Sequence, residues 1–306
     1  MPLTASRIWD QQSRLVRAAR AFVADPIEVL LNIQAKVAEH DERRAKRTKG
    51  VGGFMPWPPC PYDVDENWER GLHELLGAPW PCPRTERFWE LWSEVVQSLE
   101  AKSLRLGRGA FAGWGDGEPG LVRAVWCLTH HLRPSSVVET GVARGITSRF
   151  ILEALARNDA GHLWSIDLPP PLDRSLHDQV GVAVPERVRD RWTYIRGSSR
   201  RRLPRLLAQL GEIDLFIHDS RHSQRNLLFE LKHAWDALKP AGVLVADDID
   251  LNCGFHSFRA SRSGQPSLVC LAEPLRPDFG RQEDRGVFGV MKRVGATAGA
   301  ASRVRP

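Results

Sequence analysis

No apolar run in the 306-residue chain approaches the ~18 residues that a membrane helix needs. Residues 1–16 carry Arg7, Asp10 and Arg14 where a secretory leader would need an unbroken apolar stretch. No membrane partner is expected, and the expected location is cytoplasmic. Cysteine is scarce too. Cys60, Cys82, Cys127, Cys253 and Cys270 are scattered, with no C-x-x-C pair and no zinc-knuckle spacing, and their odd number argues against a disulfide framework. Five thiols are the expectation. Lysine is scarce among the 43 basic residues, so arginine carries most of the formal charge of +6. That charge is interleaved with 37 acidic residues rather than gathered on one segment, so nucleic acid is not the expected partner. Two basic runs, at 43–47 and 200–202, lie beside helix-compatible sequence and read as solvated helix faces.

With 42% hydrophobic and 26% charged residues, the chain has the composition of a globular protein with a buried core. Its first hundred residues read as helix. Ile27, Leu30, Leu31, Ile33 and Val37 recur at mostly helical spacing, and two further helical patterns cover about 66–76 and 85–99. In the last of these, Trp89, Trp92 and Val96 share one face, a stripe expected to be core. Proline- and glycine-rich loops interrupt these helices at 50–59, 79–83 and 107–117.

From residue 135 the grammar changes. Short apolar strands at 136–140, 163–167, 192–196, 213–218 and 243–247 alternate with helices at 145–157, 200–210 and 223–238. Such alternation predicts an α/β fold: a Rossmann-like, doubly wound, mostly parallel seven-stranded sheet. Strands at 267–273 and 287–293 read as an antiparallel pair at one edge. The organisation expected is a helical extension over 1–110, an α/β domain over 111–295 and a frayed tail over 296–306.

The first strand of that sheet leads into Val137-Val138-Glu139-Thr140-Gly141-Val142-Ala143-Arg144-Gly145-Ile146-Thr147-Ser148. Gly141 and Gly145 allow a sharp turn and close approach of a ligand, and the helix that follows offers free N–H groups at its amino end. Asp167, at the end of the second strand, is placed to accept hydrogen bonds from a ribose diol. Tight helix–sheet packing alone would also explain the two glycines. A dinucleotide-binding loop would read G-x-G-x-x-G; here the glycines are spaced more widely and an acid, Glu139, stands close by.

This Glu-x-Gly-x-x-x-Gly run, with the acid at the end of strand two, resembles motif I and its follower in class I S-adenosylmethionine-dependent methyltransferases. The resemblance implies S-adenosylmethionine as cofactor, with Glu139, Gly141, Gly145 and Thr147 around its amino-acid end and Asp167 on its ribose. The turn Gly197-Ser198-Ser199 is similar to one that borders the adenine in small-molecule O-methyltransferases, which makes Ser198 and Ser199 candidates; a helix N-cap explains a serine there equally well.

Strands four and five both end in carboxylates, in Ile217-His218-Asp219-Ser220-Arg221-His222 and Ala246-Asp247-Asp248. In a doubly wound sheet these strand ends line one crevice. Three hard oxygen ligands there, from Asp219, Asp247 and Asp248, suit Mg²⁺ or a similar cation, with histidine outside the ligand set. The two segments resemble the divalent-metal-dependent O-methyltransferases of the catechol, caffeoyl-coenzyme A and macrocin types, and Asp219 is then a cofactor neighbour as well. His222 stands where the catechol type has a lysine base, and an imidazole near its ordinary pKa of ~6.5 is a competent general base. Asp219 as a helix cap, and His218 and His222 as helix-start residues, are the plain alternatives. The function implied is O-methylation of a small hydroxylated acceptor. Methylation of RNA or protein, and a non-catalytic scaffold, are the competing readings. No Asn-Pro-Pro-Tyr or Asp-Pro-Pro-Tyr run follows strand four, which disfavours exocyclic amines of bases. The N-terminal helices are assigned to a lid, an acceptor-pocket wall or a homo-oligomer contact.

Overall fold

The computed structural model of the chain describes residues 25–48, 60, 62–107, 109–111, 119–170, 173–272 and 286–295. The expectations for 50–59, for most of 107–117, for the side chains of 43–47 and for the tail 296–306 fall outside these residues.

Among the described residues four helices precede the sheet: α1 (Pro26–Thr48), α2 (Trp68–Leu76), α3 (Thr85–Glu100) and α4 (Pro119–Leu132). Then follow β1 (Ser136–Thr140), α5 (Ile146–Asn158), β2 (His162–Asp167), the short α6 (Arg174–His177), β3 (Trp192–Arg196), α7 (Ser199–Leu210), β4 (Ile213–His218), α8 (Gln224–Ala237), β5 (Leu238–Ala246), α9 (Gly254–Ala260), β6 (Ser267–Leu271) and β7 (Val287–Lys292). The seven strands lie in the order β3-β2-β1-β4-β5-β7-β6. The first five are parallel, so the chain crosses over between successive strands. β7 runs antiparallel to both β5 and β6, so the antiparallel pair expected at one edge is there, with β7 inserted on its inner side.

Alternate residues of each strand feed two cores. Val137, Leu163, Leu215 and Val243 face one, together with Trp68, Leu72, Phe88, Leu91, Leu99, Trp126 and Phe150. Val138, Phe216 and Leu244 face the other, against Leu203, Leu227, Leu231 and Phe255. The N-terminal helices α2 and α3 therefore share a core with the sheet, each large side chain contributing about 1.5–3 kcal/mol on burial.

The helical spacing of α1 is borne out, while the readings of the 200–202 arginines, the five thiols and the Trp89 stripe are corrected. Ile27, Leu30, Ile33 and Val37 form helix α1 as expected; all four are about half exposed, while Glu28 is buried. The 200–202 arginines are not a solvated face: Arg201 pairs with Asp25 at 3.2 Å, and Arg200 lies over the Phe229 ring. Cys60 and Cys253 form a disulfide across 193 residues; an odd cysteine count does not exclude one pair, and sequence spacing cannot reveal it. In α3, Trp92 is buried but Trp89 is exposed beneath the Arg123 guanidinium. Among the described residues no helix is long and apolar enough to cross a membrane.

Candidate active site

The register pairs Thr140 with His218 and His218 with Ala246, which sets the carboxyl ends of β1, β4 and β5 side by side. The loop after β1 turns through Gly141 and Gly145, both in the left-handed region at φ 88° and 79°. A Cβ on Gly141 would stand 1.8 Å from the Asp219 carbonyl oxygen, and one on Gly145 would stand 2.9 Å from Gly181 Cα. Both glycines are thus required by backbone approaching backbone. Thr147 is half-buried in the first turn of α5.

Asp167 closes the loop from the side. Its Oδ2 accepts hydrogen bonds from Val142 N at 3.2 Å and Ala143 N at 3.0 Å, and burial raises its carboxyl above the usual range despite them. Glu139 is fully buried beneath the loop. Its Oε2 accepts the hydroxyls of Ser148 and Ser165, each at 2.7 Å, and Oε1 has no hydrogen-bond partner among the described residues. Burial lifts Glu139 to about 7, with the Asp167 charge adding and the two serines opposing.

Beyond β4 and β5, Asp219, His222 and Asp247 each present a ligand atom within 4.8 Å of the others. The structure brings His222, expected outside the ligand set, into this cluster. Asp248 instead faces the His222 ring, with Oδ2 3.6 Å from Nε2. Asp248 adopts φ 49°, and that left-handed turn separates it from its neighbour Asp247. Burial holds the His222 imidazole down at about 4, with Asp248 pulling it up and His218 pushing it down.

His218, the alternative base, is engaged elsewhere: its Nδ1 lies 2.6 Å from Glu230 Oε2 and the ring is fully buried. Glu230, on α8, was missed in the sequence. It also receives Thr140 Oγ1, Ser220 Oγ and Asn226 Nδ2. Burial works against its charge, but His218 and the hydroxyls of Ser199 and Thr140 outweigh it and hold Glu230 at about 2. A signal existed, since Leu227, Leu231 and Ala234 place residue 230 on the buried helix face.

Ser199 therefore faces Glu230, while Ser198 donates its backbone N–H to both Glu28 oxygens at 3.1 Å. Glu28, a second missed residue, sits at the amino end of α7, where its charge meets the helix dipole. Tyr62, a third, donates to the Ile249 carbonyl at 3.3 Å and accepts from His256 N, which places it beside the β5 end.

The strand order, with β7 antiparallel and a glycine turn after β1, defines a Rossmann-like sheet of the class I methyltransferase type. Residues 138–249 match the family model described as a methyltransferase domain. The chain is similar in fold to the O-methyltransferase TomG of Streptomyces achromogenes, involved in tomaymycin synthesis and solved with SAM, at 17% identity over 67% of this chain and 90% of that one, TM-score 0.49. It is also similar to an O-methyltransferase from Bacillus cereus in complex with SAH, at 12% identity over 74% and 98%, TM-score 0.47. The Podospora anserina methyltransferase PaMTH1, bound to SAH, matches at 15% identity over 80% and 100%, TM-score 0.43. Among curated proteins no match is found.

Proposed function

We propose that the protein is an S-adenosylmethionine-dependent O-methyltransferase acting on a hydroxyl of a small molecule. The observation that carries this reading is the meeting of Asp219, His222 and Asp247 beside the glycine loop. When bound, S-adenosylmethionine supplies an activated methyl on a sulfonium centre. The half-buried Asp167 carboxylate offers acceptors to a ribose, and the loop brings backbone rather than side chains against the ligand. O-methyltransferases solved with SAM or SAH share this fold, which agrees with the reading.

His222 takes the acceptor proton. Its low pKa leaves the imidazole neutral and ready to accept at physiological pH, and Asp248 on its far side stabilises the charge that forms. Asp219 and Asp247 would hold Mg²⁺ through hard oxygens, with the His222 imidazole beside them kept for the proton. Such a cation would lower the pKa of an acceptor hydroxyl. The exposed stripe of α1 (Ile27, Leu30, Ile33, Val37) supports a homo-oligomer contact through the N-terminal helices, testable by solution mass.

The test has two parts. Calorimetry should show one S-adenosylhomocysteine per chain, and labelled methyl should pass to members of a panel of phenols and sugars. Chelation should abolish transfer while leaving S-adenosylhomocysteine affinity nearly unchanged. Absence of S-adenosylhomocysteine binding removes the enzyme reading, and full activity in excess chelator removes the cation.

A further inference from the structure

Away from the glycine loop, His73, Cys82 and His131 converge between α2, the loop after it and α4, with Cys127 against Cys82. One ligand atom from each of His73, Cys82 and His131 lies within 4.8 Å of the other two. Cys82 Sγ is 3.5 Å from Cys127 Sγ and 3.8 Å from His131 Nε2. Cys127 and His131 stand four residues apart on α4 and so project from one face. The rings of His73 and His131 meet edge to face, centroids 5.0 Å apart.

His73 is 1% exposed, and neither of its ring nitrogens has a hydrogen-bond partner among the described residues. A neutral imidazole carries one donor and one acceptor, and a buried polar group left unmet costs about 1–3 kcal/mol. Cys82 and Cys127 are buried as well. Two sulfurs and two imidazoles packed this closely match the ligands of a closed tetrahedral zinc site. Sulfurs each about 2.3 Å from a tetrahedral centre stand roughly 3.8 Å apart, so the observed 3.5 Å needs only a small adjustment.

We propose that His73, Cys82, Cys127 and His131 bind one structural zinc ion. Soft sulfur ligands select zinc over magnesium, and two thiolates balance its charge, so the buried centre is electrically neutral. With four protein ligands the ion keeps no open position, which makes the site structural rather than catalytic. It fastens α2 and the 77–84 loop to α4, the helix that leads into β1. The site is separate from the Asp219 cluster: α4 enters the sheet at the amino end of β1, whereas Asp219, His222 and Asp247 follow the carboxyl ends of β4 and β5. No C-x-x-C or zinc-knuckle spacing announces it, because the ligands come from two helices and a loop.

The full chain, purified under reducing conditions without a histidine tag, is the material for the test. Elemental mass spectrometry should find one zinc per chain. Cobalt replacement should give the visible bands of a tetrahedral centre together with a thiolate-to-cobalt charge-transfer band. Zinc content should fall at least about tenfold in Cys82→Ser and Cys127→Ser and stay unchanged in Asp219→Asn with Asp247→Asn. If the cysteine variants fail to fold, the cobalt spectrum of the unaltered chain decides. The proposal is overturned by a chain that stays metal-free after reconstitution with zinc, by a cobalt spectrum lacking the thiolate band, or by a Cys82–Cys127 disulfide in the reduced preparation.

Discussion

The Gly141 Cα and the Asp219 carbonyl approach so closely that a Cβ on Gly141 would lie 1.8 Å from that oxygen. The glycine loop and the end of β4 are thereby one packed unit, joined also by Asp219 N donating to Thr140 O at 2.8 Å. Gly141→Ala should damage the fold before it damages the cofactor site, because the obstacle is backbone that cannot swing aside and the φ of 88° is itself strained for alanine. We expect a loss of more than about 2 kcal/mol in denaturant unfolding. A variant of unaltered stability that merely fails to bind S-adenosylhomocysteine would show that the residue faces ligand instead.

Asp167→Ala should weaken S-adenosylhomocysteine binding about 10–100-fold, since charge-assisted hydrogen bonds to a ribose are worth about 1.5–3 kcal/mol each before solvent compensation. The same change frees Val142 N and Ala143 N, so faster amide exchange should appear in that loop. Calorimetry giving unchanged affinity in a folded variant would mean that the ribose lies elsewhere.

Glu139 has a folded pKa of about 7, raised by burial above the carboxylate's ordinary ~4.5. A raised pKa stabilises the fold fully below the unfolded value, and that stability is lost as pH rises through the folded value. Glu139→Gln mimics the protonated acid and still accepts from Ser148 and Ser165. Its melting temperature relative to the parent should therefore climb between about pH 4.5 and pH 7 and then level off. A gap that does not change with pH would contradict the assignment.

His222 holds its pKa near 4, with burial as the main cause. As the acid-side group in kcat/KM, it should leave activity level from about pH 8 down to about pH 5. Removing the neighbouring charge in Asp248→Asn should move the acid limb lower still, since Asp248 pulls the pKa up. His222→Ala should reduce turnover by about 10²–10⁴-fold. An acid limb near the ordinary ~6.5 of histidine would assign the proton to another group.

Every strand of the sheet was legible in the sequence, and three of them, Ser136–Thr140, Trp192–Arg196 and Ile213–His218, have the expected ends. The apolar runs of the strands and the amphipathic helices between them are local signals, and local signals suffice when flanking turns agree. β5 was read too short: it begins at Leu238, because Lys239, Pro240, Ala241 and Gly242 look like a turn while β4 pairs with Leu238 across a register shift. The glycine loop and the acids after β2, β4 and β5 were legible because fold topology fixes which end of a strand faces the crevice. Glu230 and Glu28 were not, since each acts through a partner distant in sequence: Glu230 lies 90 residues from Thr140 and Glu28 lies 170 from Ser198.

By itself the sequence determined the α/β alternation, the glycine turn and the carboxylates at the strand ends, all of which rest on side-chain periodicity and backbone preferences within a few residues. Only the tertiary structure decided how those groups pair. It set His222 beside Asp219 and Asp247 and turned Asp248 toward the imidazole. It joined Cys60 to Cys253, and it gathered His73, Cys82 and His131 into one cluster with Cys127 against Cys82. The physical reason is that burial and contact depend on which elements pack together, and residues dozens of positions apart become neighbours only once the two cores have formed.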